Sequence, residues 1–133
     1  MRILFPSADS EATFESPLER ILGNAKSFFV YDTQLETSEV IPNIFQLTDD
    51  IKCKLSQYLV NKDIDVIVAC EICPNCFEKF EDNTGIDLWK CDGSQNIRES
   101  LNKFIIGGLF VRTRPDVCNC IHHQDEKKIT LRK

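Results

Sequence analysis

The sequence has few of the residues that mark fibrous, low-complexity or membrane proteins. With 5 glycines and 5 prolines in 133 residues, it has neither the glycine period of a collagen nor the bias of a low-complexity chain. No apolar run approaches the roughly 20 residues of a membrane helix, and the N-terminal run is too short for a signal peptide. The sequence therefore predicts a cytoplasmic protein that does not enter a membrane.

Positive charge is also in short supply. The chain has 16 basic and 21 acidic side chains, a net charge of -5, which disfavours nucleic-acid binding because phosphate backbones are repelled. A hydrophobic content of 42% is enough to fill a single core, and charged residues of both signs argue against disorder. These values indicate one folded domain.

Cysteine, by contrast, is abundant, with seven residues. Disulfides rarely persist in a reducing compartment, so metal ligation, redox chemistry or packing must explain the number. Cys70, Cys73 and Cys76 form a C-x-x-C-x-x-C pattern that runs from the end of a buried strand into the predicted start of a helix at Pro74. The positive end of a helix stabilises the thiolate, which is the form that ligates metals and attacks disulfides.

A second group of ligand-type residues lies near the C-terminus, where residues 111–133 have no helical or strand period and are predicted to form a polar tail. Its candidate ligands are Cys118, Cys120, His122 and His123. An extended chain covers up to ~3.3–3.6 Å per residue, so the tail can reach the first three thiols, either in its own chain or in a second copy. A four-thiolate zinc centre or a [4Fe–4S] cluster needs only four ligands, and the sequence does not select among those present. The isolated Cys53 and Cys91 are expected to pack in the core.

Apolar spacing predicts an α/β domain over residues 1–110. Strands are predicted at residues 2–6, 27–32, 37–41, 65–69 and 86–89, and helices at 16–23, 47–59, from Pro74 onward and after Ser94. Phe77 and Phe80 are expected on the inner face of the third helix, and Ile97, Leu101, Phe104 and Ile105 on that of the last one. Ser16, Pro17 and Glu19 form a capping box for the first helix, and Ser94 is expected to cap the last one. This element order predicts a five-stranded mixed sheet flanked by helices.

Three aspartates, Asp9, Asp32 and Asp65, are predicted near strand ends, where a two-metal nuclease would need a converging set of carboxylates. Asp65 begins its strand, at the opposite end from an active site, and turn or capping roles explain the other two. No nuclease site is therefore predicted.

Short motifs follow one another in a recognisable order along residues 1–110. The first half contains MRILFPSAD, Ser16-Pro17, Leu22-Gly23-Asn24-Ala25, the segment 29–32 and Asn43. The second half contains the strand 65–69, Ile72-Cys73-Pro74-Asn75-Cys76-Phe77, Gly85-Ile86 and a segment ending in Gly107-Gly108-Leu109. In this order and spacing the chain resembles the dinitrogenase iron-molybdenum cofactor biosynthesis (NifX-type) family.

The resemblance implies a ribonuclease-H-like sheet without nuclease activity, and a protein that binds, stores or delivers iron-sulfur or molybdenum-containing clusters. Two departures change the expected ligands. Ile21-Leu22-Gly23 stands where the family usually has His-Phe-Gly, so a histidine ligand is missing. Cys73-Pro74-Asn75-Cys76 stands where the family usually has Gly-Pro-Asn-Ala, which favours thiolate ligation.

The leading hypothesis is a non-enzymatic cluster carrier that exchanges its cargo with donor or acceptor proteins. Its ligands are drawn from Cys70, Cys73, Cys76, Cys118 and Cys120, with His122 and His123 as further metal ligands. One alternative is a thiol-disulfide redox protein that uses Cys73 and Cys76. The other is a structural adaptor in which zinc pins the tail to the domain.

Overall fold

The computed structural model describes residues 1–44, 55–72, 77–78, 80, 85–90, 96–107 and 110–111. The candidate ligands Cys73, Cys76, Cys118, Cys120, His122 and His123 lie outside the described residues, as do Cys53, Cys91 and the predicted start of the second helix. Of the candidate ligands, Cys70 is the one that the structure places.

Six strands form one mixed sheet in the order β3-β2-β1-β4-β5-β6. Their bounds are β1 (Arg2–Ser7), β2 (Ser27–Asp32), β3 (Thr37–Pro42), β4 (Val66–Ala69), β5 (Asp87–Lys90) and β6 (Phe110–Val111). β1 runs parallel to β4, and β4 runs parallel to β5, whereas the β1–β2, β2–β3 and β5–β6 pairs are antiparallel. The predicted α/β class with a mixed sheet is confirmed, and each of the five predicted strands lies within one residue of its predicted bounds.

Helices cover both faces of the sheet because side chains alternate between the two faces along each strand. The α1-face core lies under helix α1 (Leu55–Val60), and the α2-face core lies under helix α2 (Ile97–Ile105). Buried members of the α1-face core include Leu4, Phe28, Ile67, Leu88, Leu55 and Leu59. Buried members of the α2-face core include Ile3, Phe5, Phe29, Val66, Val68, Ile97 and Leu101.

A helix after β4 is confirmed at residues 77, 78 and 80, where the backbone is helical. Phe80 is buried in the α1-face core, and Phe77 packs against it. Both aromatic residues therefore face inward as predicted.

Helix α2 begins later than its predicted cap. Asn96, not Ser94, is the N-cap, and its side-chain oxygen accepts a hydrogen bond from the Glu99 N–H at 2.9 Å. Ile105, predicted to face inward, is 63% exposed because it is the last residue of the helix. Gly107, with φ of 78°, ends the helix in the left-handed conformation that glycine adopts without strain.

The predicted helix at residues 16–23 is wrong. Only a short 3-10 helix, Leu22–Asn24, forms in this region, and the preceding residues make isolated bridges to Ser7, Asn96 and Glu71. The Ser16 hydroxyl accepts a hydrogen bond from the Thr13 N–H, so it does not cap a helix. Partners distant in the sequence replace the local bonds of the predicted helix.

The β2–β3 hairpin turn depends on Asp32. Its carboxylate accepts hydrogen bonds from the backbone N–H groups of Leu35 and Gln34 at 3.0 and 2.9 Å, the turn role predicted from the sequence. These bonds, with Leu35 contributing most, hold the pKa of Asp32 below its usual value of 3.8.

A lowered pKa in the folded state means that Asp32 stabilises the fold above its ordinary pKa and loses this contribution as the pH falls below it. We expect Asp32→Asn, which keeps an acceptor oxygen but does not titrate, to flatten the acid limb of the stability profile. Urea unfolding between pH 2 and pH 7 measures this, with Asp87→Asn, at an exposed position of β5, as the control. An unchanged acid limb in Asp32→Asn would contradict the assignment.

Candidate functional site

The chain leaves the carboxyl ends of β1 and β4 in opposite directions. From β1 it continues to the neighbouring antiparallel strand β2, and from β4 it crosses over to β5 on the other side. In open α/β sheets, ligands bind outside the carboxyl ends of the strands at such a switch point. The edge between β1 and β4 is therefore the candidate site.

Pro6 separates the two strands at this edge. The β1–β4 pairing includes Ile3 with Val66 and Leu4 with Ile67, and reaches no further along β1. Pro6 lies two residues beyond Leu4 on the same side of the strand, and it has no N–H to donate to a neighbour. β1 continues to Ser7 only through its pairing with β2.

Residues 16–22, here called the strap, occupy the space that Pro6 opens. On the β1 side, Glu19 N donates to the Pro6 carbonyl at 3.0 Å, and Ala8 N donates to the Pro17 carbonyl at 3.0 Å. The strap thus pairs with the end of β1 in place of β4.

The other half of the strap pairs with the chain that follows β4. Glu71 N donates to the Arg20 carbonyl at 2.7 Å, and Leu22 N donates to the Glu71 carbonyl at 3.0 Å, around a parallel bridge between Ile21 and Glu71. The Ile97 N–H, at the start of α2, donates to the Ser16 carbonyl at 3.1 Å. One segment therefore joins β1, β4 and α2 at the candidate site.

Cys70 directly follows the last residue of β4, as the sequence predicts. Its side chain is half-buried and packs against the α2-face core, on the same face as Val66 and Val68. The thiol is thus held by a rigid strand at the switch point. Among the residues that the structure describes, no three cysteine, histidine, aspartate or glutamate side chains come together as a metal site.

A buried amide fixes the turn that follows the strap. Asn43, 8% exposed, donates from Nδ2 to the Gly23 carbonyl at 3.2 Å and to the Ala25 carbonyl at 2.8 Å. These two carbonyls flank Asn24 at the end of the 3-10 helix, and they lie away from water. The amide links the end of β3 to the turn beside the site.

The strap also brings an ion pair to the site. Arg20 Nη2 lies 3.2 Å from Glu71 Oε2, and Glu71 immediately follows Cys70. Arg20 and Glu71 were not predicted as site residues, because a helix at residues 16–23 would direct Arg20 away from Glu71. The signal that could have revealed the strap is Pro6, a proline inside a strand that needs donors on both edges.

Comparison with known proteins places the chain among cofactor-related proteins. The model of a family described as dinitrogenase iron-molybdenum cofactor matches residues 1–107. No curated protein matches the sequence significantly. None of the described helices has the length and apolar character needed to cross a membrane.

Solved structures share the fold at low sequence identity. The apo form of the orange protein from Desulfovibrio gigas superposes with a TM-score of 0.78 at 18% identity, over 86% of this chain and 95% of that chain. A candidate NifB protein from Thermotoga gives 0.72 at 24% identity, over 86% and 98%. A candidate dinitrogenase from Methanocaldococcus jannaschii gives 0.61 at 18% identity, over 86% and 97%. At these identities the likeness concerns the fold.

Proposed function

The chain belongs to the dinitrogenase iron-molybdenum cofactor family, and from this membership we propose that it binds an iron-sulfur or molybdenum- and iron-containing cluster through cysteine thiolates. It holds or delivers the cluster as cargo and does not catalyse a reaction. Its partners are the proteins that donate or accept the cluster, and it works in the cytoplasm.

The observation that carries this proposal is the position of Cys70 at the switch point of the sheet. Cys73 and Cys76 follow it by three and six residues, so the same short stretch of chain supplies three thiols. Thiolate is the ligand of iron-sulfur clusters, so the donor type fits the proposed cargo.

Residues 111–133 supply the remaining ligands in this proposal. Cys118 and Cys120 complete the thiolate set, and His122 and His123 are further metal ligands. These residues act on the site of their own chain or on that of a second copy, and in the latter case two chains share one cluster as a homodimer.

Metal analysis combined with an absorption spectrum tests the proposal. Protein purified without oxygen, or reconstituted with ferrous iron and sulfide, is expected to hold near-stoichiometric iron and to absorb in the visible range. A protein that stays colourless and metal-free after reconstitution would refute cluster binding. Colourless protein with one zinc per chain would favour the structural adaptor instead, and chelation would then lower its melting temperature.

The redox alternative has a separate readout. The redox alternative would be favoured if the metal-free protein reduces glutathione disulfide and Cys73→Ser does not. We expect no such activity, because glutaredoxin-like folds place their C-P-x-C motif after the first strand, whereas β1, β2 and β3 all precede β4 here.

A further inference from the structure

The backbones that carry the Arg20–Glu71 ion pair are held in place. The two backbone hydrogen bonds that form the parallel bridge between Ile21 and Glu71 hold the strap against Glu71, so the backbones of Arg20 and Glu71 cannot separate. Consecutive Cα atoms lie about 3.8 Å apart, which keeps the pair at the same part of the edge as Cys70. The sheet therefore fixes the backbones of Arg20 and Glu71 relative to that of Cys70, and the ion pair with Glu71 keeps the guanidinium near this edge.

The Arg20 guanidinium is open to an incoming ligand. Its side chain is 78% exposed, whereas that of Glu71 is 20% exposed. A guanidinium carries five N–H donors and a carboxylate engages only part of them, so donors remain for a second anion. Because the guanidinium end of this ion pair lies in water, the pair contributes little to folding stability, and Arg20 can exchange one anion for another at small cost.

The thiol and the ion pair do not compete for space. Cys70 packs against the α2-face core, whereas the Arg20 side chain is 78% exposed and pairs with Glu71, the next residue along the chain. A cluster held beyond the edge by Cys70 can meet the guanidinium without displacing the thiol.

The charge of the cargo supplies the reason for a cation here. Sulfide and thiolate ligands give metal clusters negative charge, and a protein with a net charge of -5 repels such a cargo. We propose that Arg20 makes this edge selective for anionic metal-sulfur clusters, with Glu71 holding the guanidinium in place until the cargo arrives. This inference rests on the proposed function and adds the charge class of its cargo.

Substitutions of the two partners are expected to act in opposite directions. With the full chain reconstituted with ferrous iron and sulfide, Arg20→Gln is expected to weaken cluster retention against an iron chelator by about tenfold. Glu71→Gln removes the competing negative charge and is expected to strengthen retention. Raising the salt concentration should weaken retention in the wild type more than in Arg20→Gln, because salt screens the attraction between the guanidinium and the cluster, which only the wild type has.

Arg98→Gln provides the matched control. Arg98 forms an exposed ion pair with Glu15 at 2.5 Å, next to the strap but at the start of α2. Its removal is expected to leave retention unchanged, and the melting temperatures of all these variants should stay close to that of the wild type.

Three outcomes would overturn the inference. Retention in Arg20→Gln equal to that of the wild type would exclude a role for the cation, and a loss of iron in Glu71→Gln would make Glu71 a ligand. A wild type that takes up no iron would refute the proposed function and this inference with it. If the wild type binds iron and Arg20→Gln retains it equally well, the inference is refuted and the proposed function is not.

Discussion

Cys70→Ser is expected to lose cluster retention while the domain stays folded. Cys70 follows the last residue of β4 and packs against the α2-face core, so the rigid sheet sets its position. A hydroxyl is a poor substitute for a thiolate on iron, and loss of a ligand should lower retention by more than about tenfold, the scale that even supporting residues reach. Bound iron per chain and the visible absorption after reconstitution measure the effect.

Controls separate ligation from folding in this experiment. Cys70→Ala tests whether packing alone matters, and its melting temperature should fall by only a few degrees, since the side chain is half-buried. Cys53→Ser is the cysteine control and is expected to keep the full iron content. Cys91 is not used as a control. Ala69 of β4 pairs with Lys90 of β5, and these two paired residues directly precede Cys70 and Cys91. Full iron retention in both Cys70 variants would contradict the proposed site.

The same assay examines the tail. The double substitution of Cys118 and Cys120 by serine is expected to lower the iron content, because the proposal needs a fourth thiolate beyond the three near β4. A full complement of iron in that variant would remove the tail from the ligand set.

Asn43→Leu is expected to lower the free energy of unfolding by about 3 kcal/mol, since it leaves the Gly23 and Ala25 carbonyls buried without their amide donor. For a chain of this size the melting temperature should fall by roughly 10 °C. Thermal and urea unfolding measure both quantities.

Asn43→Asp tests whether the hydrogen bonds of the Asn43 side chain or its shape stabilise the fold. Aspartate has nearly the same shape but donates no hydrogen bond to the two carbonyls when ionised, so it should destabilise at least as much at neutral pH. Asn102→Leu, on the exposed side of α2, is the matched control and should change stability by less than about 0.5 kcal/mol. An Asn43→Asp protein as stable as the wild type would refute the role of the amide.

The strands could be predicted from the sequence because their burial follows a local pattern. β4 is buried at all four residues, and the apolar run 66–69 carries that information directly. β6 was not predicted, since two residues are too few to establish an alternation. The position of Cys70 at the end of β4 followed from the strand prediction and is confirmed.

The strap could not be predicted, because its partners are distant in the sequence. Ser16, Pro17 and Glu19 fit a capping box, and nothing local indicates that Pro6 and Glu71 offer better-placed backbone groups. The N-cap of α2 was misplaced for a related reason. Ser94 and Asn96 are both good capping residues, and only the fit of Ile97 and Leu101 against the sheet selects the second.

The strap also constrains the order in which the molecule folds. It lies between two strands, and it hydrogen-bonds to residues from the first and the last thirds of the domain, so its path exists only once those strands are in place. Contacts between residues far apart in the chain form slowly, because a long loop must close first. We therefore expect the backbone around Cys70 to reach its native path late, so that cargo is loaded onto a chain whose sheet is already complete.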